Sequence, residues 1–210
     1  ILIHYHEIAI KGDNRRWFEN ILIKNIRKQL NGLPFKSARL NAARIFIFGI
    51  DESLWEQYSF RLKRVMGLKY ASLMLQISDD YEEIKSTALE IIAGEEFETF
   101  RGSARRQYKN YPMTSQEINC DLGAAIQEKY QKPVKLKSAD LDVRINLIKG
   151  MAYLGCKKVS GFGGLPVGCS EKALSLISSG IDSPVASFEM LKRGVNLSYI
   201  HFHSAPATNR

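Results

Sequence analysis

Cysteine is scarce: Cys120, Cys156 and Cys169 are the only three in 210 residues. Three thiols cannot build the dense disulfide framework of a small secreted domain, so the composition reads as cytoplasmic. Long apolar runs are also missing, and none reaches the roughly 18 residues that suggest a membrane span. The opening ten residues carry His4, His6 and Glu7, which excludes a signal peptide. Met is absent from position 1, so a missing or processed natural N-terminus is expected. No internal repeat is visible. What is present is ordinary globular material, 45% hydrophobic and 25% charged. That is enough apolar surface to bury a core and exclude disorder throughout. The length allows one large domain or two to three small ones.

The net charge is +8, and it is unevenly spread. Residues 1–58 hold 9 basic and 6 acidic side chains, residues 59–163 hold 17 and 13, and residues 164–210 hold 4 and 3. Within the middle part, Asp79–Glu98 has eight acids against one Lys, whereas Arg101–Lys137 has eight basic residues against three acids. A basic face on a soluble protein attracts polyanions, nucleic acid being the usual one, although a dispersing solvated surface has the same composition.

Periodicity divides the chain into three parts. The first reads strand, helix, strand, strand, helix, strand, an α+β order. Its first helix follows Gly12, with Asp13 or Asn14 as cap, and aligns Trp17, Phe18, Ile21, Leu22, Ile26 and Leu30 on one face. Asn31-Gly32 ends that helix. Ile45–Ile50 reads as a strand, Ser53–Val65 as a helix and Tyr70–Ile77 as another strand. The second part continues with a helix over Tyr81–Ala93, a strand over Phe97–Arg101 and a basic loop over Gly102–Pro112. Thr114 with Glu117 three residues on is a capping-box spacing that opens the next helix. Two strands, Val143–Ile148 and Met151–Cys156, join around Lys149-Gly150. Residues Gly161–Gly168 contain four Gly and one Pro, the composition of a linker or a close-approach loop. The third part is a strand (Ala173–Ile177), a turn, a helix (Val185–Lys192) opened by Pro184, and a strand (Asn196–Phe202). This is the opening of a parallel α/β domain. One such unit cannot bury both faces of its sheet, so a fragment of a longer protein is expected.

The turn Ser178-Ser179-Gly180-Ile181-Asp182-Ser183 leaves a strand and enters a helix N-terminus, where unpaired N–H groups favour anions. It lacks the Lys of the Walker pattern and the glycine spacing of the dinucleotide fold. On spacing alone it fits a phosphate loop or a Ser-rich helix cap. The residues narrow the choice. Ser-Ser-Gly-Ile-Asp-Ser resembles the Ser-Gly-Gly-x-Asp-Ser loop of PP-loop ATP pyrophosphatases. Its continuation Pro-Val-Ala and Met190-Leu191-Lys192-Arg193-Gly194 resembles the tRNA 4-thiouridine synthetases (tRNA uracil 4-sulfurtransferases). Tyr5–Gly12 with Asn14-Arg15-Arg16 is similar to that family's opening, Tyr111–Asn119 with Leu122-Gly123 to the core of its THUMP domain, and Gly161–Gly168 to the loop leading into its PP-loop domain. Ser179 stands where the family has Gly, and a Cβ there would crowd a phosphate or block a positive φ. His6 replaces the usual Gly of the opening.

The resemblance implies α/β and α+β architecture. A ferredoxin-like domain over residues 1–58 and a THUMP domain over 59–163 would bind tRNA, largely by its acceptor end. Residues 164–210 would be a linker and the first βαβ unit of a Rossmann-like PP-loop domain, truncated. Leu176, Ile177, Ser178, Ser179, Gly180, Ile181, Asp182, Ser183, His201 and Phe202 would hold ATP, with Asp182 acting on the phosphate end through Mg²⁺. Arg101, Arg105, Arg106, Lys109 and Lys132 would contact tRNA, with Tyr108 an aromatic among them. The implied reaction is adenylation of a uridine oxygen and its replacement by persulfide sulfur, with a cysteine desulfurase as donor, a homodimer as one assembly and thiamine biosynthesis as a further role. The family's sulfur-carrying Cys has no match among Cys120, Cys156 and Cys169. Burial is expected for the first two, and little redox relevance for the third. The pairs His4/His6 and His201/His203 are joined by no carboxylate or Cys cluster in sequence, so no metal site is expected from them. The alternative reading is a non-catalytic tRNA-binding module. THUMP methyltransferases and deaminases form a third class, which the Ser178–Ser183 loop disfavours.

Overall fold

A computed structural model describes residues 1–148 and 150–202. The chain forms two compact units, residues 1–71 with 159–210 and residues 72–158. In the first unit a five-stranded sheet has the order β2-β3-β1-β4-β9. Its strands are β1 (Leu2–Tyr5), β2 (Ser37–Asn41), β3 (Arg44–Phe48), β4 (Leu68–Ser72) and β9 (Lys158–Ser160). Helices α1 (Arg15–Gln29) and α2 (Trp55–Leu62) complete it. Ile3, Ile45, Ile47 and Leu68 of the strands are fully or nearly fully buried, as are Leu22 and Ile26 of α1 and Tyr58 and Leu62 of α2.

The buried stripe of α1 keeps the expected Leu22, Ile26 and Leu30 but is turned away from Trp17. Trp17 is 52% exposed, while Glu19, Leu22, Ile23 and Ile26 face inward. Glu19 is tolerated there because it accepts hydrogen bonds from the Tyr5 hydroxyl (2.6 Å) and Arg15 Nε (2.9 Å); a buried carboxylate needs such partners. Asn14 occupies the N-cap without a side-chain bond. Between β2 and β3 the two-residue turn Ala42-Ala43 has φ of 49° and 61°. Both residues are in the left-handed region that Asn and Gly normally fill.

The second unit has a four-stranded sheet, order β5-β8-β7-β6. Its strands are β5 (Leu75–Ile77), β6 (Phe100–Arg106), β7 (Leu141–Ile148) and β8 (Met151–Gly155), with helices α3 (Tyr81–Ile91) and α4 (Ser115–Tyr130). β6 runs parallel to β7, and β7 and β5 each pair antiparallel with β8. Ile84 and Ala88 of α3, Ile118, Leu122 and Ile126 of α4, and Val143, Ile145 and Leu147 of β7 form its core. The capping box is present, with Glu117 N–H donating to Thr114 Oγ1 (3.1 Å) and Thr114 N–H to Glu117 Oε2 (2.6 Å). Asp80 caps α3 by accepting from Glu83 N–H (3.0 Å), without the reciprocal bond. Gly150 turns between β7 and β8 at φ +80°; Lys149 lies outside the described residues.

Two expected elements are redrawn. The strand over Tyr70–Ile77 is two strands, β4 in one unit and β5 in the other. The basic loop over Gly102–Pro112 is strand as far as Arg106. β6 is an edge strand, and its polar outward side chains bond across to β7, so the helix-facing Phe100 and Ala104 suffice to bury it.

The third part is β10 (Lys172–Leu176), α5 (Asp182–Lys192) and β11 (Asn196–Ile200), the two strands parallel and in register from Lys172↔Asn196 to Leu176↔Ile200. It does not stand apart. Residues 161–168 are tied by backbone hydrogen bonds on both sides: Gly161 N–H donates to Lys69 O, Gly163 N–H to Leu68 O, Leu165 N–H to Lys192 O and Gly168 N–H to Gly194 O. A Cβ on Gly164 would lie 2.3 Å from Lys192 O, so glycine is required for close approach. The expected boundary at 58/59 falls inside α2, and the one at 163/164 inside this strap. Among the described residues no helix is long and apolar enough to cross a membrane.

Candidate functional site

The Ser178–Ser183 loop joins the C-terminal end of β10 to the start of α5. Ile177 N–H donates to Ile200 O at 2.9 Å, which carries the strand pairing up to the loop. The N-cap of α5 is Ile181, already in helical conformation, and no side chain caps the helix. The first-turn N–H groups therefore have neither an intrahelical partner nor a side-chain cap, and they carry the positive end of the helix dipole. Inside the loop Ser178 N–H donates to Ser183 Oγ (3.0 Å), and Gly180 N–H donates to Ser178 Oγ (3.3 Å). The two hydroxyls are 3.1 Å apart. One hydroxyl proton spans that pair, which leaves the other to donate outward.

The residues expected to hold nucleotide lie together here. Leu176, Ile177, Ser178, Ser179, Gly180, Ile181, Asp182 and Ser183 run through this edge, and His201 and Phe202 follow β11 beside it. Ligands of parallel α/β sheets bind outside the carboxyl ends of the strands. His201 Nδ1 lies 2.7 Å from Ile177 O; a carbonyl only accepts, so Nδ1 carries the proton. Among the described residues the non-glycine positions with positive φ are Ala42, Ala43, Gln131 and Ser138. Ser179 is thus unstrained. Even at Gly180 a Cβ would meet only Ser178 Oγ, at 3.5 Å.

The five expected tRNA contacts separate into two groups. Arg101 bonds Asp142, its register partner on β7, at 2.6 Å, and Asp142 also accepts from Ser103 Oγ and Arg144. These partners hold the Asp142 carboxyl below its usual range against the opposing effect of burial. Lys132 pairs with Glu98 (3.0 Å), and Arg106 donates to the carbonyls of Lys109 and Tyr111. Arg105 and Lys109 remain exposed. Redrawn unit boundaries also move the charge. Residues 72–158 hold 13 basic and 13 acidic side chains, whereas residues 1–71 hold 13 and 6. On α2 and just after it, Arg64 lies 3.4 Å over the ring of exposed Phe60, and Lys63 lies 5.2 Å from it. Sequence reading missed this aromatic–cationic patch, although Phe60-Arg61-Leu62-Lys63-Arg64 was its signal.

Within the second unit a cleft of about 590 Å³ is lined by Asp79, Tyr81, Tyr108, Tyr111, Pro112 and Met113 among others. Tyr108 donates to Asp79 Oδ2 and meets Tyr111 edge to face at 5.9 Å. Burial, then the Asp79 bond, pushes the Tyr108 phenol up to about 12.

Burial pushes Cys156 and Cys169 up, and the Cys169 sulfur fills the space that a Cβ on Gly194 would need. Cys120 is exposed, contrary to expectation, because its position on α4 points away from the core face of Ile118 and Leu122. His4 stacks on Tyr70 at 4.3 Å, and His6 Nδ1 accepts from Gly164 N–H at 3.2 Å; His203 lies outside the described residues. Among the described residues no three His, Cys, Asp or Glu side chains converge.

Comparison with known proteins follows this division. Residues 1–72 match the ThiI ferredoxin-like domain, residues 78–157 the THUMP domain and residues 168–210 the Thiamine biosynthesis protein (ThiI) model. A Brevibacillus brevis protein named a probable tRNA sulfurtransferase is 41% identical over 212 residues, covering all of this chain and 53% of its own length. A solved 4-thiouridine synthetase–RNA complex with bound ATP has TM-score 0.76 and 33% identity, over 98% of this chain and 53% of that one. PH1313 from Pyrococcus horikoshii has TM-score 0.83 and 31% identity, over 97% of this chain and 68% of its own. The chain spans about half the length of the curated relatives it matches.

Proposed function

Because the chain belongs to the tRNA 4-thiouridine synthetase (tRNA sulfurtransferase) family, we propose that it is the RNA-binding and phosphate-loop part of a cytoplasmic enzyme making 4-thiouridine in tRNA. In this reading ATP adenylates the uracil oxygen with release of pyrophosphate, and the outer sulfur of a persulfide charged by a cysteine desulfurase displaces AMP, a second thiol closing a disulfide with the carrier thiol to supply the two electrons that reduce the sulfur. The observation that carries it is the Ser178–Ser183 loop, with uncapped helix N–H groups and a spare hydroxyl proton at the carboxyl edge of a parallel strand pair. That donor set suits phosphate oxygens. Asp182, in the first turn of α5, fits a Mg²⁺ held between one carboxylate and the phosphates, an arrangement this ion favours. Bound Mg²⁺ would neutralise phosphate charge. Asp182 would orient it, and His201 would hold the strand end through Ile177 O.

The tRNA contacts in this reading are Arg105 and Lys109 of the second unit, with Lys63 and Arg64 of the first. The aromatic cleft of Tyr108 and Tyr111 offers stacking surface for unpaired bases of the acceptor end. Taken as these 210 residues alone, the chain fits a non-catalytic tRNA-binding module. Leu174 and Leu176 are 62% and 63% exposed, so the β10–β11 sheet is covered on one face only. The test uses the complete protein. Asp182→Ala abolishes 4-thiouridine formation while tRNA affinity stays within about twofold, because no charge of the RNA face is altered. Full thiolation by that variant would remove the loop from the reaction.

A further inference from the structure

We propose that Ser187, with Ser175 behind it, is a positioning residue that sets the aperture of the Ser178–Ser183 loop and thereby its grip on a polyphosphate. The inference rests on the reading of that loop as the phosphate site. Ser187 is the buried residue of α5, 4% exposed, at a position where an amphipathic helix would place an apolar side chain. A buried hydroxyl is costly unless it is bonded, and this one is bonded twice. Its oxygen lies 2.7 Å from the Ser183 carbonyl and 2.7 Å from Ser175 Oγ on β10. A hydroxyl has one proton and a carbonyl has none, so Ser187 donates to Ser183 O and Ser175 must donate to Ser187.

The bonds form a run that converges on Ser183 from both sides. It begins on the strand at Ser175, passes through Ser187 one turn into the helix, and reaches the main chain of Ser183. From there Ser183 Oγ receives Ser178 N–H, and Ser178 Oγ receives Gly180 N–H. Ser183 is therefore held twice, through its carbonyl by the buried Ser187 hydroxyl and through its Oγ by Ser178 N–H, while Ser187 also ties this turn to β10 at Ser175. Back-bonding of a Ser hydroxyl to the carbonyl four residues earlier also tends to bend a helix. Here it acts on the turn whose free N–H groups face the candidate ligand. Without the Ser187 hydroxyl, β10 and the first turn of α5 lose their side-chain link and the donors lose their common aim. A ligand that needs several loop donors at once feels that loss more than one that needs few.

The experiment is titration calorimetry of the complete enzyme with ATP and with AMP. Ser187→Ala and Ser175→Ala each weaken ATP about three- to tenfold, the worth of one hydrogen bond. AMP affinity stays within about twofold, and the double variant is no weaker than the weaker single one, because both remove the same link. Ser187→Thr keeps the hydroxyl and retains ATP affinity. Should Ser187→Ala fail to fold, Ser175→Ala carries the test. Equal losses for ATP and AMP, or additive losses in the double variant, would overturn the proposal. Ser183→Ala separates the two levels. If it weakens ATP while Ser187→Ala and Ser175→Ala do not, the positioning role alone fails. If it leaves ATP affinity untouched, the phosphate-site reading fails as well.

Discussion

Replacing Lys63 and Arg64 by Ala should lower the salt dependence of tRNA binding, whereas replacing Arg101 and Lys132 should not. Arg101 and Lys132 already neutralise Asp142 and Glu98 at 2.6 and 3.0 Å. Their charge is spent within the second unit, whose 13 basic and 13 acidic residues leave no net charge. Lys63 and Arg64 belong to the stretch with 13 basic and 6 acidic residues, exposed just after α2 and beside Phe60. Each phosphate contact contributes about 0.9 to the slope of log affinity against log salt, so losing one changes the affinity ratio between 50 and 200 mM salt by about 3.5-fold. The Lys63→Ala/Arg64→Ala variant should thus flatten that ratio by about 12-fold, and Arg105→Ala/Lys109→Ala by up to the same factor. Fluorescence anisotropy with labelled tRNA at four or more salt concentrations measures the slopes. Parallel urea melts identify variants that have merely lost stability. If Arg101→Ala/Lys132→Ala flattened the slope and Lys63→Ala/Arg64→Ala did not, the transfer of the RNA face toward the first unit would be refuted.

Ala43→Gly relieves a left-handed backbone position (φ 61°) and should stabilise the protein by about 1 kcal/mol, read as a higher urea midpoint at unchanged slope; no gain would mean the turn is not left-handed there. Tyr5 is pushed up to about 12 by burial and by its bond to Glu19. The fold therefore favours the neutral phenol, and this stabilisation is complete below pH 10 and is lost as pH rises through 12. The loss is of order 2–3 kcal/mol. Tyr5→Phe should flatten that limb of the stability–pH curve measured by urea melts, and an unchanged limb would refute the assignment. Ser179→Gly in the complete protein should leave ATP affinity within about twofold, since Ser179 needs no positive φ; a large gain in calorimetry would show that the Cβ crowds the phosphate.

Local signals were legible where one principle acted alone. The Thr114/Glu117 spacing announced α4, and the Ser-rich turn between two apolar runs announced the β10–α5–β11 unit. Elsewhere a distant partner decided the outcome. Arg101 reads as a free cation until Asp142, 41 residues away, becomes its register partner on β7. Gly102-Ser103 reads as loop because an edge strand needs few apolar residues. Ala42-Ala43 carries no turn signal at all, since its left-handed backbone is imposed by the hairpin it closes. Glu19 falls on the buried side of α1 only because Tyr5 and Arg15 come to meet it. The candidate nucleotide site was the more readable of the two, being one contiguous segment and the strand beside it. The charge distribution could be apportioned only after the units were known.

The glycine strap also fixes a distance. Eight extended residues could reach about 26–29 Å, yet residues 161–168 are folded back and fastened by main-chain bonds to Leu68 and Lys69 on one side and to Lys192 and Gly194 on the other. Glu7 and Arg193 clamp the same junction with two contacts of 2.9 and 3.0 Å. The Ser178–Ser183 loop at the far end of α5 is thereby held at a set span from the basic helices of the same unit, as if on a ruler. Main-chain bonds make that span insensitive to most side-chain changes but sensitive to chain length. A single inserted residue between Gly161 and Gly168, harmless in a slack tether, would shift every fastening beyond it and move the loop relative to the Lys63–Arg64 patch.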